Sequence, residues 1–562
     1  MKLIEVLKEH STINHESFQF EINYLSNIVP GNINKILEVL LAKESIKTKV
    51  KIGEFNNYTQ ESFNPNNSSI YIVHIDSLSL TNDISKSTAN MSADQALLIE
   101  KKVISEIDII YKNLSSVKKL IFIGLSKLVP ELLYGKNNQF HQTTRRINNY
   151  LYSLKNIEII NLDRITSSLG LENSINKRDL YSFSIPYTHE FQHELSINIS
   201  NQILSTSGKI KKCLVLDCDN TLWGGIIGED GESNLQINKD TNQGKIFLEI
   251  QHSIKKLSNE GTIICLCSKN NEEDLLNFFK KNIMPLSIDD ITAYQINWND
   301  KASNIRALSK TLNIGLDSMV FLDDSEFEVE LVRNELPEVL TIQVPKNTYD
   351  YPQVFSKVVN IFYKETITTE DKNKKDQYKQ NFLREKEKES FGNIDDYLKS
   401  LNIELKIFQN KKEQLERLAQ LTQKTNQFNL TTKRYTITDI QSCFDNDFVF
   451  SFSATDKLGD SGIVGMTIIK KEDEKAIIDT LLLSCRILGR RIEEAFFIEV
   501  LDFLKDNNFK KVIGEYIPTQ KNQMTKNFYS NFKFSEVEEN RFELDLTTYN
   551  SEKINFIKVS HE

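Results

Sequence analysis

The most constraining feature of this chain is an alternation of apolar runs and helical stretches between about residues 200 and 345. Apolar runs with the length of buried strands lie at 212–216, 262–267 and 319–322. Stretches with apolar residues at helical spacing lie at 243–260, 272–281 and 302–312. Strands that alternate with helices form βαβ units, so this part of the chain is predicted to build a parallel sheet.

Each of the apolar runs ends in a polar residue whose side chain can react with a substrate or bind a ligand. These residues are Asp217, Ser268 and Asp323. Open parallel sheets bind ligands beyond the carboxyl ends of their strands. The pattern therefore predicts that the three side chains lie at one site.

The strongest motif is Asp217-Cys218-Asp219 directly after the first apolar run. A carboxylate at a strand end can attack phosphorus and form an aspartyl-phosphate. Asp219 faces the same way if the chain stays extended, and it can protonate the leaving oxygen and then deprotonate water. The alternative interpretation is an Asp-x-Asp turn that only caps a strand.

Further residues downstream weigh against a simple turn. The hydroxyl of Ser268 can bond a phosphoryl oxygen, and Lys301 can balance the charge that develops on phosphorus. Asp323 and Asp324 offer hard oxygen ligands of the kind that Mg²⁺ prefers. The motifs together predict a Mg²⁺-dependent phosphate site with Asp217 as its nucleophile.

The rest of the chain divides by pattern into other regions. Residues 1–205 repeat the alternation and predict a separate α/β domain, with strand candidates at 70–75, 120–123 and 157–162. Residues 206–361 are predicted to form the domain that carries the phosphate site. Residues 362–396 are charged and nearly free of aliphatic side chains, which predicts a solvated helical connector.

Residues 397–550 carry a different pattern, in which strands come in succession. Strand candidates lie at 448–452, 462–469, 476–483 and 511–516. A long helical stretch occupies 493–506. This order predicts an α+β domain, and the whole chain is predicted to be a multidomain α/β protein.

Length and charge exclude several classes of protein. The chain has 562 residues, which suggests about three domains, and its formal net charge of −9 argues against a nucleic-acid partner. It has neither the pattern of a signal peptide nor an apolar run long enough to span a bilayer, so a cytoplasmic protein without a membrane partner is predicted.

The cysteines lie mostly on apolar runs, which favours reduced thiols over a disulfide framework. Cys265 and Cys267 lie on one such run. We expect them on opposite faces of a strand, where they would not share a metal.

The ordered motifs resemble the haloacid dehalogenase (HAD) superfamily of phosphohydrolases over about residues 210–345. The resemblance implies that Mg²⁺ is held by Asp217, by the backbone carbonyl of Asp219 and by an aspartate of the pair Asp323 and Asp324. The stretch between Thr221 and the first predicted helix is too short for a large cap domain. The site is therefore expected to be open.

Longer segments narrow this resemblance: LVLDCDNTLWGGIIGEDG, CSKNN, VFLDDSEFEVELVR, LLLSCRILGRRIEEAF and YIPTQKN. They are similar to FkbH-like proteins. That family implies removal of phosphate from a glyceryl unit of 1,3-bisphosphoglycerate, and loading of the unit onto the phosphopantetheine thiol of an acyl carrier protein. The alternatives are action on another acyl or phosphorylated substrate, and an inactive carrier-binding scaffold.

Two cysteines are candidates for carrying the acyl group. Cys218 lies between two aspartates, whose charges raise a thiol pKa, so a packing role is favoured for it. Cys485 stands at a predicted strand end beside several arginines, whose charges lower a thiol pKa. Both a catalytic and a structural role stay open for Cys485.

The segment around Cys485 also resembles the acyl-CoA-binding loop of GNAT-type acyltransferases. Arg486, Gly489 and Arg490 match the loop pattern R-x-x-G-x-[G/A] up to its last position, where this chain has Arg491. We predict that the loop binds the single phosphate of a carrier-protein phosphopantetheine.

The N-terminal region resembles the SGNH-hydrolase-like domains that precede the phosphatase in this family. Ser26 and Asn27 match a remnant of the hydrolase nucleophile segment. The late segment PYTHEFQHEL lacks the Asp-x-x-His pair that such a hydrolase needs. A scaffold or docking role is therefore predicted for this region.

Overall fold

The computed structural model describes residues 2–13, 17–80, 91–126, 139–206, 211–281, 283–363, 369–388, 391–484, 487–519 and 521–562. The chain divides into two compact units, Met1–Thr206 and Ser207–Glu562. The first unit holds one sheet and the second unit holds two. The prediction of a multidomain α/β protein is confirmed.

Strands and helices alternate in the first unit. Its strands are β1 (Phe20–Ser26), β2 (Thr48–Ile52), β3 (Ile70–His74), β4 (Lys119–Ile123) and β5 (Glu158–Ile160). Its helices are α1 (Leu3–His10), α2 (Ile33–Lys43), α3 (Tyr58–Glu61), α4 (Ala93–Asn113), α5 (Gln139–Ser153), α6 (Leu162–Leu169), α7 (Lys177–Phe183) and α8 (His189–Thr206).

The first sheet is parallel, with strand order β2-β1-β3-β4-β5. The sequence predicted β3, β4 and β5. It missed β1 and β2, in which polar residues interrupt the apolar run; Glu21 and Lys49 are examples.

Polar side chains at the carboxyl edge of the first sheet bond to one another. Asn27 accepts a hydrogen bond from the Asp76 N–H at 2.6 Å and donates one to the Asp76 carbonyl at 3.0 Å. Ser26 donates to the carbonyl of Ile28 at 2.6 Å. His74 Nδ1 lies 2.7 Å from the Tyr24 hydroxyl, and its Nε2 lies 3.2 Å from Asp76 Oδ2. These buried contacts hold the strand ends together.

A second parallel sheet follows in the second unit. Its strands are β6 (Cys213–Leu216), β7 (Ile263–Ser268), β8 (Ala293–Ile296), β9 (Met319–Asp323) and β10 (Leu340–Gln343). The accompanying helices are α9 (Ile227–Asp230), α10 (Asn242–Asn259), α11 (Glu272–Lys280), α12 (Lys301–Leu312), α13 (Glu326–Glu335) and α14 (Tyr351–Phe362). The strand order is β10-β9-β6-β7-β8, which puts β6 in the middle.

The predicted parallel sheet is confirmed, with its apolar runs at β6, β7 and β9. Leu214 and Leu216 face one side of the sheet, and Cys213 and Val215 face the other. Both sides are covered, so each strand is apolar along its length. The strands β8 and β10 were not predicted because each has only four residues and its apolar run is interrupted by polar residues.

Cys265 and Cys267 both belong to the buried cluster on the Cys213 side of the sheet. The expectation of opposite faces is wrong, because residues two positions apart on a strand point the same way. Neither cysteine belongs to the metal-binding group found among the described residues.

Helix α15 (Thr369–Lys388) occupies the predicted connector. Tyr378 and Phe382 are about 5% exposed and belong to the buried cluster of Leu312 and Phe321 beside the second sheet. On another side, Arg384 donates to both carboxylate oxygens of Asp456, at 2.9 and 2.7 Å. The prediction of a solvated helix is wrong for these two faces. One is buried by two aromatic side chains and the other by an ion pair, and neither needs a long apolar run.

The C-terminal part of the second unit contains a mixed sheet. Its strands are β11 (Ile403–Gln409), β12 (Phe428–Asn429), β13 (Phe448–Asp456), β14 (Gly459–Glu472), β15 (Lys475–Leu483), β16 (Lys511–Glu515), β17 (Ser535–Glu538), β18 (Arg541–Asp545) and β19 (Ile557–His561). Its helices are α16 (Ile394–Ser400), α17 (Leu415–Lys424), α18 (Ile437–Asn446), α19 (Ile492–Asp506) and α20 (Phe528–Asn531).

The order of this sheet is β17-β18-β16-β15-β14-β13-β11-β19, with β12 paired to the end of β15. The predicted strands at β13, β14, β15 and β16 and the predicted helix at α19 are present. Within the described ranges, every helix is too short or too polar to cross a bilayer.

Candidate active site

Asp217 directly follows β6, the middle strand of the second sheet. Its N–H donates to the Leu322 carbonyl on β9 at 3.0 Å, so strand pairing fixes its place at the carboxyl edge. The side chain is 7% exposed. Burial raises the pKa of Asp217 to about 6 against the opposing charge of Lys301, and Asp323 adds to the rise. A carboxylate here needs positive charge beside it to stay ionised.

Lys301 supplies part of that charge from the first turn of α12. Asp300 starts the helix by accepting a hydrogen bond from the Ser303 N–H at 2.7 Å. The Lys301 ammonium donates to Asp217 and to the Cys267 carbonyl at 2.6 Å, and it lies 3.1 Å from Asp323 Oδ2. Burial lowers the pKa of Lys301, but Asp217 and Asp323 raise it further, so the ammonium stays protonated.

Asp217, Asp323 and Asp324 form a compact acidic group, in which one oxygen of each lies within 4.8 Å of the others. Burial raises the pKa of Asp323 and raises that of Asp324 to about 6, where the charge of Asp217 adds to the effect. Three carboxylates share one lysine, which leaves negative charge unbalanced. Mg²⁺ prefers carboxylate and water oxygens, so these residues fit that ion.

Asp219 lies in the loop after β6, and its side chain is not a member of the acidic group. One oxygen accepts hydrogen bonds from Trp223 Nε1 at 3.0 Å and from the Ile227 N–H at 3.1 Å. The other accepts from Asn270 Nδ2 at 2.9 Å. The carboxylate is thus held in a fixed orientation, and any part that Asp219 takes in metal binding falls to its backbone carbonyl.

Ser268 ends β7 and is buried beside the other site residues. Asn270 Nδ2 donates to its hydroxyl at 3.0 Å as well as to Asp219. Asn270 and Trp223 were not predicted as site residues from the sequence. A signal existed for Asn270, since it stands two residues after Ser268 in a loop at the carboxyl edge.

A cavity of about 490 Å³ adjoins the site and is lined in part by Asn220 and Asp324. Amide side chains of Gln236 and Gln243 and the ammonium of Lys346 also line it. Small-molecule pockets are typically about 300–1,000 Å³. The cavity is therefore large enough to hold a small molecule beside the acidic group.

Cys218 is fully buried in the core cluster that contains Leu214 and Leu216, and its thiol is hydrogen-bonded with Ser268. Burial raises the pKa of this thiol well above its usual value, and the charge of Asp217 adds to the rise. The thiolate, which is the nucleophilic form, is therefore disfavoured at this position.

The predicted carrier-binding loop follows β15. Cys485 and Arg486 lie outside the described residues. Gly489 has φ +80°, a left-handed conformation that favours glycine. Arg490 is 6% exposed and donates to Asp456 Oδ2 at 2.7 Å, so it is part of a buried ion pair.

The chain is similar to the N-terminal part of the protein BF1531 from Bacteroides fragilis, which contains a phosphatase domain complexed with Mg. The identity is 26% and the TM-score 0.58, over 66% of this chain and 100% of that chain. The ribosomal-protein-S18-alanine N-acetyltransferase from Escherichia coli is 11% identical, with a TM-score of 0.22, over 26% of this chain and 96% of that one. So low a TM-score does not establish a shared fold. No protein-family model and no curated protein matches the chain.

Proposed function

We propose that the second unit is a Mg²⁺-dependent phosphatase that works through an aspartyl-phosphate on Asp217. The observation that carries this proposal is the buried group of Asp217, Asp323 and Asp324 around the single ammonium of Lys301. The likeness to the Mg-bound phosphatase domain of BF1531 supports it. We further propose that the whole chain acts as an FkbH-type enzyme that loads a glyceryl unit onto an acyl carrier protein.

The first step transfers the phosphoryl group to the protein. An oxygen of Asp217 attacks phosphorus, and the bond between phosphorus and the leaving oxygen breaks. Asp219, which enters this step in its protonated form, gives its proton to that leaving oxygen and becomes a carboxylate. Ser268 donates a hydrogen bond to a phosphoryl oxygen, and Lys301 holds Asp217 while it balances the added charge.

The second step returns Asp217 to its starting state. Asp219, now a carboxylate, takes a proton from water. The water oxygen attacks phosphorus, the bond from phosphorus to Asp217 breaks, and inorganic phosphate leaves. Trp223 and Asn270 keep Asp219 oriented through both proton transfers.

A Mg²⁺ ion would be held by Asp217, the Asp219 carbonyl and an aspartate of the pair Asp323 and Asp324. When bound, it would supply positive charge against the phosphoryl oxygens. The excess of carboxylates over cations at this site is the structural basis for its binding.

The acyl step would begin from 1,3-bisphosphoglycerate. A thiolate attacks the acyl carbon, the bond to the acyl phosphate breaks, and a thioester forms with release of phosphate. The thiol of the carrier's phosphopantetheine arm then takes the acyl group by thioester exchange. The burial of Cys218 favours Cys485 as the protein thiol.

Mass spectrometry of a phosphopantetheinylated carrier tests the proposal. With the protein, Mg²⁺ and 1,3-bisphosphoglycerate, the carrier should gain the mass of a glyceryl group. With Asp217→Asn it should keep the phosphate and gain a phosphoglyceryl mass, whereas Cys485→Ala should prevent loading.

Controls separate the two halves of the proposal. Release of phosphate from simple monoesters without any loading of cognate carriers would keep the phosphatase and overturn the glyceryl transfer. Failure of both phosphate release and loading would overturn the whole proposal.

A further inference from the structure

An ion pair joins the loop after β7 to helix α13 beside the acidic group. The Lys269 ammonium lies 2.6 Å from an oxygen of Glu328. Lys269 directly follows β7, and Glu328 lies in the first turn of α13, the helix that follows β9. In the sheet, β6 lies between β7 and β9. The pair therefore links the segments that follow the two strands on either side of the one leading into Asp217.

Glu328 is a buried carboxylate that depends on this lysine. Its side chain is 9% exposed, whereas that of Lys269 is 36% exposed. The other oxygen of Glu328 is buried and has no hydrogen-bond partner within the described ranges. Burial raises the pKa of the Cys267 thiol to about 12, and the charge of Glu328 adds to the rise as that of Asp217 does. A buried carboxylate near others is costly without a cation beside it, so Lys269 is its counter-ion.

The Lys269 end of the pair belongs to the loop that orients two of the site residues. Lys269 lies between Ser268 and Asn270 in the chain. Asn270 Nδ2 donates to the Ser268 hydroxyl at 3.0 Å and to an oxygen of Asp219 at 2.9 Å. A shift of Lys269 would therefore disturb both hydrogen bonds.

The Glu328 end of the pair belongs to the turn that orients Asp323. The Ser325 hydroxyl starts α13 by accepting a hydrogen bond from the Glu328 N–H at 3.4 Å. The Ser325 N–H in turn donates to Asp323 Oδ1 at 2.8 Å. A shift of Glu328 would therefore be passed on to a carboxylate of the acidic group.

We propose that Lys269 and Glu328 are positioning residues for phosphoryl transfer, because their ion pair sets the distance from Ser268 to Asp323. This role rests on the proposed phosphatase function and extends it to two residues that do not act on the substrate themselves. Displacement of a reacting group by about 1 Å can cost about 100-fold in rate. The loss should appear in kcat rather than in KM, since the pair does not contribute to ground-state binding.

Steady-state hydrolysis of p-nitrophenyl phosphate by the full chain, with saturating Mg²⁺, measures this role. Lys269→Met and Glu328→Gln should each lower kcat by about tenfold or more and change KM by less than about threefold. The combined variant should lose no more than the worse single variant, because the two side chains act as one unit. It leaves neither charge unpaired, so it can be measured where a single variant fails to fold. Lys269→Arg keeps the charge and should stay within about threefold of the parent protein.

An ion pair at the opposite edge of the same sheet provides the matched control. Lys255 lies 3.5 Å from Asp290, and their side chains are 41% and 6% exposed, close to the values for Lys269 and Glu328. Asp290 lies shortly before β8, at the amino edge of the sheet. Lys255→Met should lower the midpoint of urea unfolding comparably to Lys269→Met, but it should leave kcat within about twofold of the parent protein.

The outcomes separate the positioning role from the phosphatase activity. An active parent protein whose Lys269→Met and Glu328→Gln variants fold and keep their kcat would overturn the positioning role alone. A loss of kcat in Lys255→Met as large as that in Lys269→Met would do the same, as would losses that multiply in the combined variant. A parent protein that releases no phosphate would overturn the proposed function, and the positioning role with it.

Discussion

The two parallel sheets of this protein differ at their carboxyl edges, although both have five strands and polar residues at the strand ends. In the first unit, Asn27, His74 and Asp76 bond to one another and to neighbouring backbone. In the second unit, Asp217, Asp323 and Asp324 share one lysine. The first edge holds the single carboxylate of Asp76 beside His74 and a tyrosine donor, and we call it the balanced edge; the second holds three carboxylates around one ammonium, and we call it the unbalanced edge.

This difference suggests where to look first for a site, since strand order and polar strand ends are common to both edges. Buried polar groups that satisfy one another stabilise and rigidify a fold. Buried charges in excess need an ion or a substrate to complete them. The charge balance at the sheet edge, rather than its architecture, indicates where chemistry takes place.

Matched substitutions at the two sheet edges test the difference between them most directly. Asp217→Asn should lower phosphate release from p-nitrophenyl phosphate by at least about 10³-fold, because the nucleophile is lost. Ser26→Ala, the counterpart at the first edge, should change the rate by less than about twofold. A large loss in Ser26→Ala, or little loss in Asp217→Asn, would contradict the distinction.

Removal of the central ammonium should be the most damaging change to stability. Lys301→Met leaves the acidic group without its cation and should destabilise the second unit by about 3–5 kcal/mol in EDTA. Added Mg²⁺ should restore part of the loss. Urea unfolding followed by tryptophan fluorescence measures this, because both tryptophans, Trp223 and Trp298, lie in the second unit. Equal stability of Lys301→Met and the exposed control Lys357→Met would refute the expectation.

Magnesium should stabilise the unbalanced edge alone. At a concentration of one hundred times its Kd, a bound ion adds about 2.7 kcal/mol to the free energy of unfolding. The tryptophan-detected melting temperature should rise with Mg²⁺, and Asp323→Asn combined with Asp324→Asn should abolish the rise. A gain that persists in this variant would show that the ion binds elsewhere.

A substitution at the balanced edge should lower the stability of the first unit and leave the rate of phosphate release unchanged. Asp76→Asn removes the charge that accepts from Tyr187 and lies beside His74, at a cost of about 1–3 kcal/mol. Circular dichroism should detect earlier melting of the first unit, while the tryptophan signal and the rate of phosphate release stay unchanged. A variant that folds normally yet loses phosphate release would link the first edge to catalysis.

The sequence predicted much of the second sheet because its inner strands are continuous apolar runs. Asp217, Ser268 and Asp323 were predicted at one edge, and the structure brings them together with Lys301. Their chemical roles stay predictions. Such runs are visible in sequence because parallel strands with both faces covered carry few polar residues.

Features that depend on distant contacts were not visible in the sequence. Trp223 and Asn270 become part of the site only because the loop after β6 folds back and brings them to Asp219. The buried face of α15 contains Tyr378 and Phe382 among many charged residues. Two aromatic residues are too few to predict a buried helix face from the sequence. Arg490 was predicted in a phosphate-binding loop, which stays a prediction; its pairing with the distant Asp456 was not visible in the sequence.

Buried residues of helix α15 contact both the part of the second unit that contains the second sheet and the part that contains the mixed sheet. The chain therefore cannot be divided before this helix without exposing them. A protein shortened to end at residue 363 would lose Tyr378 and Phe382 from the cluster around Leu312 and Phe321. Each lost aromatic side chain removes about 1.5–3 kcal/mol of burial energy. A fusion protein that contains this part of the chain therefore has to include helix α15. It then also includes Arg384, which donates hydrogen bonds to Asp456.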